Sequence, residues 1–209
     1  MPKCAIVAAL AFDGPTFERL RNEAAFSFVI AADAGVAQLE ELGIEADLIV
    51  GDFDSLGYVP QGLNVICHPV KKDASDLELA LEEAMARGFD GAVVFGALGG
   101  RLDHTIAAMH ACARFAEEGI DVLMVGEDCM VKILVGPGVY DLPPLERGTV
   151  SVFSATDASI GVTEQGLEYP LGNATLRNRT SLGLSNELQG EPASISVEQG
   201  TLYIFHPLG

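Results

Sequence analysis

The sequence predicts an α/β fold in two parts, a largely parallel α/β domain over residues 1–130 and a small all-β sandwich over residues 131–209. Two observations lead to this prediction. As far as about residue 125, short apolar runs alternate with segments of helical periodicity, the pattern of a parallel sheet with helices on both faces. Beyond residue 130 the helical periodicity disappears, and short β-rich runs replace it.

The elements of the first domain follow from these apolar patterns. Strands are expected at Cys4–Leu10, Ser27–Ala32, Asp47–Val50, Leu63–Cys67, Gly91–Phe95 and Asp121–Val125. Helices are expected at Pro15–Ala24, Val36–Leu42, Ser75–Arg87 and Thr105–Glu118. The helix at 75–87 is the clearest, because Leu77, Leu81 and Ala84 fall on one face and Gly88 ends it.

The second domain is predicted from β-rich runs that Gly and Pro separate. The expected strands are Val131–Val135, Val150–Ser154, Ser159–Thr163, Ala193–Val197 and Thr201–Phe205. Turns are expected where Gly136 to Gly138 and Pro143-Pro144 interrupt the pattern. Short strands with such punctuation are typical of a sandwich.

Composition excludes several classes of function. The formal net charge of −18 argues against a nucleic-acid-binding protein, which needs a basic face. No apolar run reaches the length of a membrane span, and the apolar N-terminus is better explained as a first core strand than as a signal peptide. The cysteines at positions 4, 67, 112 and 129 form no CxxC pair, which favours reduced thiols in a cytoplasmic protein without a zinc site.

Charged residues follow several of the predicted parallel strands directly. Ligands of such sheets bind outside the carboxyl ends of the strands. Asp33 follows the second strand, and Asp52 and Asp54 follow the third. The segments after the fourth and fifth strands add further charges, at Lys72, Asp73 and Asp76 and at Arg101, Asp103 and His104. The sequence therefore predicts a ligand site at this edge of the sheet.

The segment Gly51 to Ser55 (GDFDS) carries two carboxylates two positions apart at the end of a strand. In extended chain they point the same way and repel each other. A hard cation such as Mg²⁺, bound with a phosphate substrate, would offset that repulsion. The alternative is an ordinary turn, because Gly, Asp and Ser are turn formers.

Two other segments also have both a functional and a structural interpretation. In Lys72 to Asp76 (KDASD), a capping box of Ser75 with Glu78 explains the helix start but leaves Asp73 unexplained. In Gly96 to Arg101 (GALGGR), glycines bring backbone N–H groups close to a phosphate, and the arginine can bind it with two hydrogen bonds. The structural alternative is an ordinary strand-to-helix turn, in which glycines are common. His104 could transfer protons or cap the helix.

The remaining polar features are expected to be structural. The histidines at positions 68, 110 and 206 lie outside charged clusters. The segment Ser181 to Glu187 is best explained, from its residues alone, as a solvated turn.

Taken together, the motifs resemble those of the thiamine pyrophosphokinase (thiamin diphosphokinase) family. The matching segments occur in the family's order along nearly the whole chain: Ala32 to Gly35 (ADAG), Asp47 to Ser55 (DLIVGDFDS), Lys72 to Asp76 (KDASD), Gly96 to His104 (GALGGRLDH), Gly166 to Leu171 (GLEYPL) and Ser185 to Glu187 (SNE). Each segment is short, but the set is specific.

The resemblance implies an N-terminal domain that binds ATP and a C-terminal β-sandwich that binds thiamine. It implies a homodimer with thiamine bound between the subunits. It also implies a reaction in which the pyrophosphoryl group of ATP passes to the hydroxyl of thiamine and AMP is released, with Mg²⁺ as cofactor. Positioning and charge neutralisation are what such a transfer needs most.

The resemblance further assigns roles to residues. The catalytic acidic residues would be Asp52, Asp54, Asp73, Asp76 and Asp103, with Asp52, Asp54 and Asp73 as metal ligands. Nucleotide and phosphate contacts would come from Asp33, Lys72, Gly99, Gly100, Arg101 and His104, and thiamine contacts from Ser185 and Asn186. A separate hypothesis, beyond the resemblance, is that either Asp73 or Asp103 takes the proton of the thiamine hydroxyl.

The chain departs from the family pattern in three places. The family's ADGGAN segment reads Ala32 to Ala37 (ADAGVA), without the Asn, and its KDxTD segment has Ser75 for Thr. The chain contains no Trp, so an aromatic contact with thiamine would require Phe or Tyr.

Two rival functions remain open. One is another phosphotransferase or a metal-dependent phosphohydrolase on the same scaffold, and the other is a non-catalytic sensor of thiamine or nucleotide.

Overall fold

The structure is a computed structural model that describes residues 2–53, 58, 64–67, 74–143 and 145–209. The chain divides into two compact units, Met1–Glu127 and Asp128–Gly209. The predicted division after residue 130 falls inside the first strand of the second unit, Cys129–Val135. None of the helices in the described ranges combines the length and the apolar content needed to cross a membrane.

The first unit alternates strands and helices, as predicted. Its strands are β1 (Lys3–Val7), β2 (Val29–Ala32), β3 (Leu48–Gly51), β4 (Val65–Cys67), β5 (Gly91–Phe95) and β6 (Asp121–Val125). Its helices are α1 (Gly14–Asn22), α2 (Gly35–Glu41), α3 (Asp76–Ala86) and α4 (Leu102–Glu117). The strands lie in the order β4-β3-β2-β1-β5-β6, and each neighbouring pair is parallel.

The apolar strands form the centre of this sheet. The side chains of Cys4 to Val7 in β1 and of Val94 and Phe95 in β5 are fully buried. Phe17 of α1 packs on Phe95, with ring centroids 4.9 Å apart, and attaches that helix to the sheet. Near-continuous apolar runs are typical of parallel strands that are covered on both faces.

Two predicted boundaries are wrong for local reasons. Strand β1 ends at Val7 and not at Leu10: Ala8 N–H still donates to Phe95 O of β5 (2.8 Å), but the chain then bends at Ala9 and Leu10. Helix α4 begins at Leu102 and not at Thr105; its N-cap, Arg101, follows the left-handed residues Gly99 and Gly100. The amphipathic pattern becomes recognisable only after the first helical turn, since Leu102 is exposed.

Strand order creates a crevice in the first unit. The chain adds β2 on one side of β1 and later adds β5 on the other side. Such a reversal is the position at which open α/β sheets bind ligands, at the carboxyl ends of the strands.

The second unit is entirely β. Its strands are β7 (Cys129–Val135), β8 (Gly138–Asp141), β9 (Thr149–Ser154), β10 (Ala158–Gln165), β11 (Leu171–Arg177), β12 (Asn186–Glu187), β13 (Ser194–Val197) and β14 (Thr201–Pro207). They form antiparallel sheets in the orders β12-β9-β14-β7 and β11-β10-β13-β8. One apolar core draws on both sheets, for example on Val152 and Ile204 from the first and Val162 and Ile195 from the second.

Three strands of this unit, β8, β11 and β12, are missing from the sequence-based prediction. Each pairs through one neighbour at the end of its sheet. In β11 most side chains are exposed, so its sequence LGNATLR lacks the alternation that identifies a half-buried strand. Edge strands in general carry less hydrophobic signal than central ones.

Candidate active site

A cavity of about 380 Å³ opens at the crevice in the first unit. Its walls come from the segments that follow β1, β2 and β5 and from the start of α3 and α4. The lining residues that carry polar side chains are Asp33, Ser75, Asp76 and His104. The predicted site at the carboxyl ends of the strands thus coincides with a real cavity in the described part of the chain.

Three carboxylates meet beside this cavity. Asp33, Asp52 and Asp76 each offer a carboxylate oxygen, and these atoms all lie within 4.8 Å of one another. Asp33 is buried, with 8% of its surface exposed, and Asp52 and Asp76 are half-buried. Asp33 Oδ1 has no hydrogen-bond partner among the described residues.

This arrangement suits a hard cation. Close carboxylates repel one another, and a buried oxygen without a partner is costly. Oxygen ligands of this kind are the ones that Mg²⁺ prefers. The orphaned Asp33 oxygen and the all-carboxylate donor set therefore fit a divalent metal bound between β2, β3 and α3.

The backbone around Asp33 is specialised. Asp33 has a φ of 45°, and its N–H donates to Val50 O of β3 (2.8 Å). A Cβ atom on Gly51 would lie 3.0 Å from Asp33 Cα, so the glycine lets the chain of β3 pass close to it. A Cβ atom on Gly35 would lie only 1.9 Å from Val7 O, which explains the glycine at the start of α2.

Helix α3 supplies Asp76 through its N-terminus. The predicted capping box is confirmed: Glu78 N–H donates to Ser75 Oγ (3.3 Å) and Ser75 N–H donates to Glu78 Oε2 (2.8 Å). Asp76 is the first residue of the helix, where a carboxylate also faces the positive end of the helix dipole. The structural and the functional interpretations of this segment are therefore compatible.

The predicted metal ligands are Asp52, Asp54 and Asp73. Asp52 lies in the carboxylate cluster, whereas Asp54, Lys72 and Asp73 lie outside the described residues. Asp33 and Asp76, predicted as a nucleotide contact and a catalytic residue, are the other members of the cluster. Strand adjacency brings Asp33 and Asp52 together, because they follow β2 and β3, which are parallel neighbours.

The glycine segment before α4 is held by Thr105, a residue that the sequence analysis did not single out. Gly99 N–H donates to Thr105 Oγ1 (3.1 Å), and Thr105 Oγ1 donates to Gly99 O (2.9 Å). Gly99 and Gly100 have φ values of 99° and 57°, which residues that carry a side chain rarely adopt. In this arrangement the Gly99 N–H points to Thr105, so a phosphate contact would have to come from elsewhere in the segment.

Arg101 and Asp103 form a two-bond ion pair at the start of α4. The Nε–Oδ1 distance is 3.1 Å and the Nη2–Oδ2 distance is 2.5 Å. The hydrogen bonds from Arg101 lower the pKa of Asp103 to about 2. A carboxylate of such low pKa is a weak base while the pair is intact.

His104 lies in the first turn of α4 and lines the cavity. The N-cap position belongs to Arg101, which makes no side-chain capping bond, so His104 is not the cap. Its imidazole is placed to contact a ligand in the cavity. His206 is structural, as expected: it is buried, and its ring bonds Tyr140 Oη (3.0 Å) and Pro207 O (2.8 Å) inside the second unit.

In the second unit, Ser185 and Asn186 have different environments. Ser185 is exposed, with a φ of 59°, and its N–H donates to Ser151 Oγ (3.0 Å). Asn186 is buried in β12, so the expectation of a solvated turn through Glu187 is wrong at this residue. Its amide Nδ2 donates to the buried Glu164 Oε2 (2.8 Å). Glu164 could have been noticed, because the alternation of β10 puts it on the same face as Val162.

Comparison with known proteins agrees with the motifs. Residues 18–124 match the family "Thiamin pyrophosphokinase, catalytic domain" and residues 140–202 match "Thiamin pyrophosphokinase, vitamin B1 binding domain". Thiamine pyrophosphokinase of Bacillus subtilis is 28% identical over 182 residues, which cover 83% of this chain and 84% of that protein. Thiamine pyrophosphokinase 1 of Arabidopsis thaliana is 23% identical, and the match spans 75% of this chain and 64% of the plant protein.

Solved structures give the same result for the fold. The crystal structure of thiamine pyrophosphokinase from Bacillus subtilis superposes with a TM-score of 0.84 at 25% identity, over 98% of both chains. Thiamin pyrophosphokinase from Candida albicans has a TM-score of 0.81 at 16% identity, over 100% of this chain and 89% of that one. The chain belongs to the thiamin pyrophosphokinase family.

Proposed function

We propose that the carboxylate cluster and its cavity carry out the reaction of the family in this chain. The enzyme is a thiamine pyrophosphokinase: the pyrophosphoryl group of ATP passes to the hydroxyl of thiamine, and AMP leaves. The observation that carries the assignment of the site is the meeting of Asp33, Asp52 and Asp76 beside a cavity at the carboxyl ends of parallel strands.

These carboxylates hold Mg²⁺ in the proposal, and Asp54 and Asp73 join them as further acidic ligands. The ion supplies neutralisation of phosphate charge, which an acidic protein otherwise lacks. The chain carries 30 acidic residues against 12 basic ones, so a nucleotide needs such local compensation. Asp33 would hold the metal from the buried side of the cluster, and Asp76, which lines the cavity, would hold it there.

The nucleotide occupies the cavity, with its phosphates directed to the cluster and to the start of α4. His104 and the segment around Gly100 contact it there, and Lys72 adds positive charge. Arg101 reaches a phosphate only by exchanging its bond to Asp103 for one to the ligand. Such an exchange keeps the guanidinium paired at all times, since phosphate and carboxylate accept the same two-bond geometry.

The thiamine hydroxyl must lose a proton during transfer. Asp73 or Asp103 accepts it in the proposal. The hydrogen bonds from Arg101 lower the pKa of Asp103 to about 2, so Asp103 is a stronger base once Arg101 has moved away. The pairing thus links base strength at Asp103 to occupation of the phosphate site.

Thiamine binds through the second unit, near Ser185 and Asn186. Its thiazolium ring is a cation and is attracted to an acidic protein. We further propose that the active form is a homodimer with thiamine between subunits. The exposed apolar side chains Leu182 and Leu184, beside Ser185, support a buried role for this surface in an assembly.

Phosphorus NMR on the purified protein with ATP, Mg²⁺ and thiamine tests the function. We expect AMP and thiamine diphosphate to appear in equal amounts. ADP with thiamine monophosphate would instead identify a γ-phosphoryl kinase, and inorganic phosphate without a thiamine product would identify a hydrolase. Binding of thiamine without turnover would identify a sensor.

A further inference from the structure

Glu164 is an acidic residue inside the apolar core of the second unit. It lies in β10 opposite Leu171 of β11 and Ile195 of β13, with 1% of its surface exposed. Its Oε2 accepts a hydrogen bond from Asn186 Nδ2 (2.8 Å), and its Oε1 is buried without a partner among the described residues. A carboxyl group at such a position destabilises the fold relative to an apolar residue. Its presence therefore indicates a role that an apolar residue could not fill.

The side-chain amide of Asn186 is fully occupied. Its Oδ1 accepts from the N–H groups of Tyr169 (3.0 Å) and Glu187 (2.9 Å). Its Nδ2 donates to Tyr169 O (2.9 Å) and to Glu164 Oε2. An amide has two donor hydrogens and two acceptor lone pairs, so none remains for a ligand. Asn186 therefore acts as a brace, and its orientation is fixed because Tyr169 N–H only donates and Tyr169 O only accepts.

The brace joins two surface segments. On one side it holds the backbone of Tyr169, a residue that is 64% exposed. On the other side it holds the chain next to Ser185, which is exposed and has a left-handed φ of 59°. A strained residue of this kind keeps its conformation only when its surroundings determine it.

We propose that Glu164 is a positioning residue of the thiamine site, which acts through Asn186 to fix the conformation of Ser185 and Tyr169. The inference rests on the proposed function, because Ser185 is placed near thiamine there. It differs from the family-based expectation in that Asn186 supports the site from inside and does not contact the substrate.

The chemistry of Glu164 agrees with this role. Burial raises its pKa, and the hydrogen bond from Asn186 opposes that rise. A neutral carboxyl group still offers Oε2 as an acceptor, so the brace does not require a buried negative charge. A glutamine at position 164 offers the same acceptor.

Steady-state kinetics of the full-length enzyme test the proposal. Glu164→Gln keeps the acceptor for Asn186, and we expect its thiamine KM to stay within about twofold of the wild type. Glu164→Leu leaves an Nδ2 hydrogen unsatisfied, and we expect thiamine KM to rise about tenfold, with ATP KM and kcat within about twofold. Val162→Ala is the matched control: it loosens the same face of β10 without touching the hydrogen bonds, and its thiamine KM should not change.

A double variant separates action through Asn186 from general damage. If Glu164 works through the brace, Glu164→Leu adds no further rise in thiamine KM to Asn186→Ala. Additive effects, an unchanged KM in Glu164→Leu, or an equal rise in ATP KM would overturn the proposal. Should Glu164→Leu fail to fold, Glu164→Asp, which withdraws the acceptor by one methylene group, takes its place with an expected several-fold rise in KM.

Failure of the proposed function gives a different result. In that case the wild type makes no thiamine diphosphate, and calorimetric titration with thiamine is applied to the same variants. Weaker binding by Glu164→Leu than by Glu164→Gln supports the positioning role. Equal binding by the two variants, or none by the wild type, overturns it.

Discussion

Asp33 combines features that an ordinary surface carboxylate does not have. It is buried, its backbone is left-handed, and one oxygen has no partner in the described part of the chain. Each feature alone destabilises the fold by a kcal/mol or so, on the order given for strained or unsatisfied groups. Local rules fail together in this way mainly at functional sites, where a ligand completes the arrangement.

Replacing Asp52 by Asn tests the metal site directly. The change keeps the shape of the side chain but removes its charge, so Mg²⁺ binds less tightly at the cluster. We expect kcat/KM to fall by about a hundredfold or more, with partial recovery at high Mg²⁺ concentration. Turnover measured across a series of Mg²⁺ concentrations shows both effects.

Asp121→Asn is the control for that experiment. Asp121 begins β6 at the amino edge of the sheet and pairs with Lys3 (2.6 Å) on the surface. An exposed ion pair contributes only about 0–1 kcal/mol, so activity and its Mg²⁺ dependence should be unchanged. Equal behaviour of Asp52→Asn and Asp121→Asn would argue against the cluster as the metal site.

Comparison of Asp73→Asn with Asp103→Asn tests the base. Loss of the true base lowers kcat by a factor of about 100 to 10,000, the usual contribution of general base catalysis. Asp103→Asn also frees Arg101, so its ATP KM is expected to change as well. Single-turnover rates separate the two effects, and near-normal kcat in both variants would show that neither residue is the base.

At the scale of residues, the sequence identifies charged side chains in positions where charge is unusual. It does not identify residues whose role depends on a hydrogen bond to a particular partner. Asp52 and Asp76 are predictable because carboxylates directly follow strands or begin a helix. Thr105 is not, because a threonine in a helix has no signal until its hydroxyl is seen bonded to Gly99. The role of such a residue follows from interatomic distances in the folded chain, which sequence spacing does not give.

The N-terminus of α3 joins stability to the site. Ser75→Ala removes the hydroxyl that caps the helix, and we expect the free energy of unfolding to fall by about 1 kcal/mol. Activity at limiting Mg²⁺ should fall too, because Asp76 is the next residue. Urea unfolding and the Mg²⁺ dependence of turnover measure the two effects.

Ser75→Thr serves as the control, since it retains the capping hydroxyl. Stability and Mg²⁺ dependence close to those of the wild type are expected. A loss as large as that of Ser75→Ala would mean that the site does not depend on the cap.

The glycine segment before α4 allows a test of the same kind. Thr105→Val keeps the shape but removes both hydrogen bonds to Gly99, so the segment loses its anchor. We expect ATP KM to rise about tenfold, whereas Thr105→Ser should remain near the wild type. A Thr105→Val enzyme with normal ATP KM would show that the loop is held by its glycine conformations alone.

At the scale of elements, the sequence predicts buried strands well and the edge strands of the second unit poorly. The order and type of the elements in the first unit are confirmed, because most of its strands are largely buried, continuous apolar runs. Strands β8, β11 and β12 were missed because pairing on one side leaves their sequences mixed. Two of them pair with strands far away in the chain, β8 with β13 and β12 with β9, whereas β11 pairs with the strand that precedes it, β10.

The whole molecule is strongly acidic, with a formal net charge of −18. Self-repulsion of this size destabilises the compact state, and salt screens it. Screening responds to ionic strength whichever cation is present. Binding at the carboxylate cluster responds to Mg²⁺ in particular, so the two contributions can be separated by comparing salts.

We expect NaCl to raise the melting temperature of the wild type and MgCl₂ to raise it further at equal ionic strength. A site at one hundred times its Kd stabilises the native state by about 2.7 kcal/mol, which is a shift of several degrees. Asp52→Asn should keep the NaCl increment and lose most of the additional Mg²⁺ increment, as followed by scanning calorimetry. If Asp52→Asn kept the full Mg²⁺ increment, the ion would be acting on the acidic surface as a whole, and the cluster of Asp33, Asp52 and Asp76 would not be its principal site.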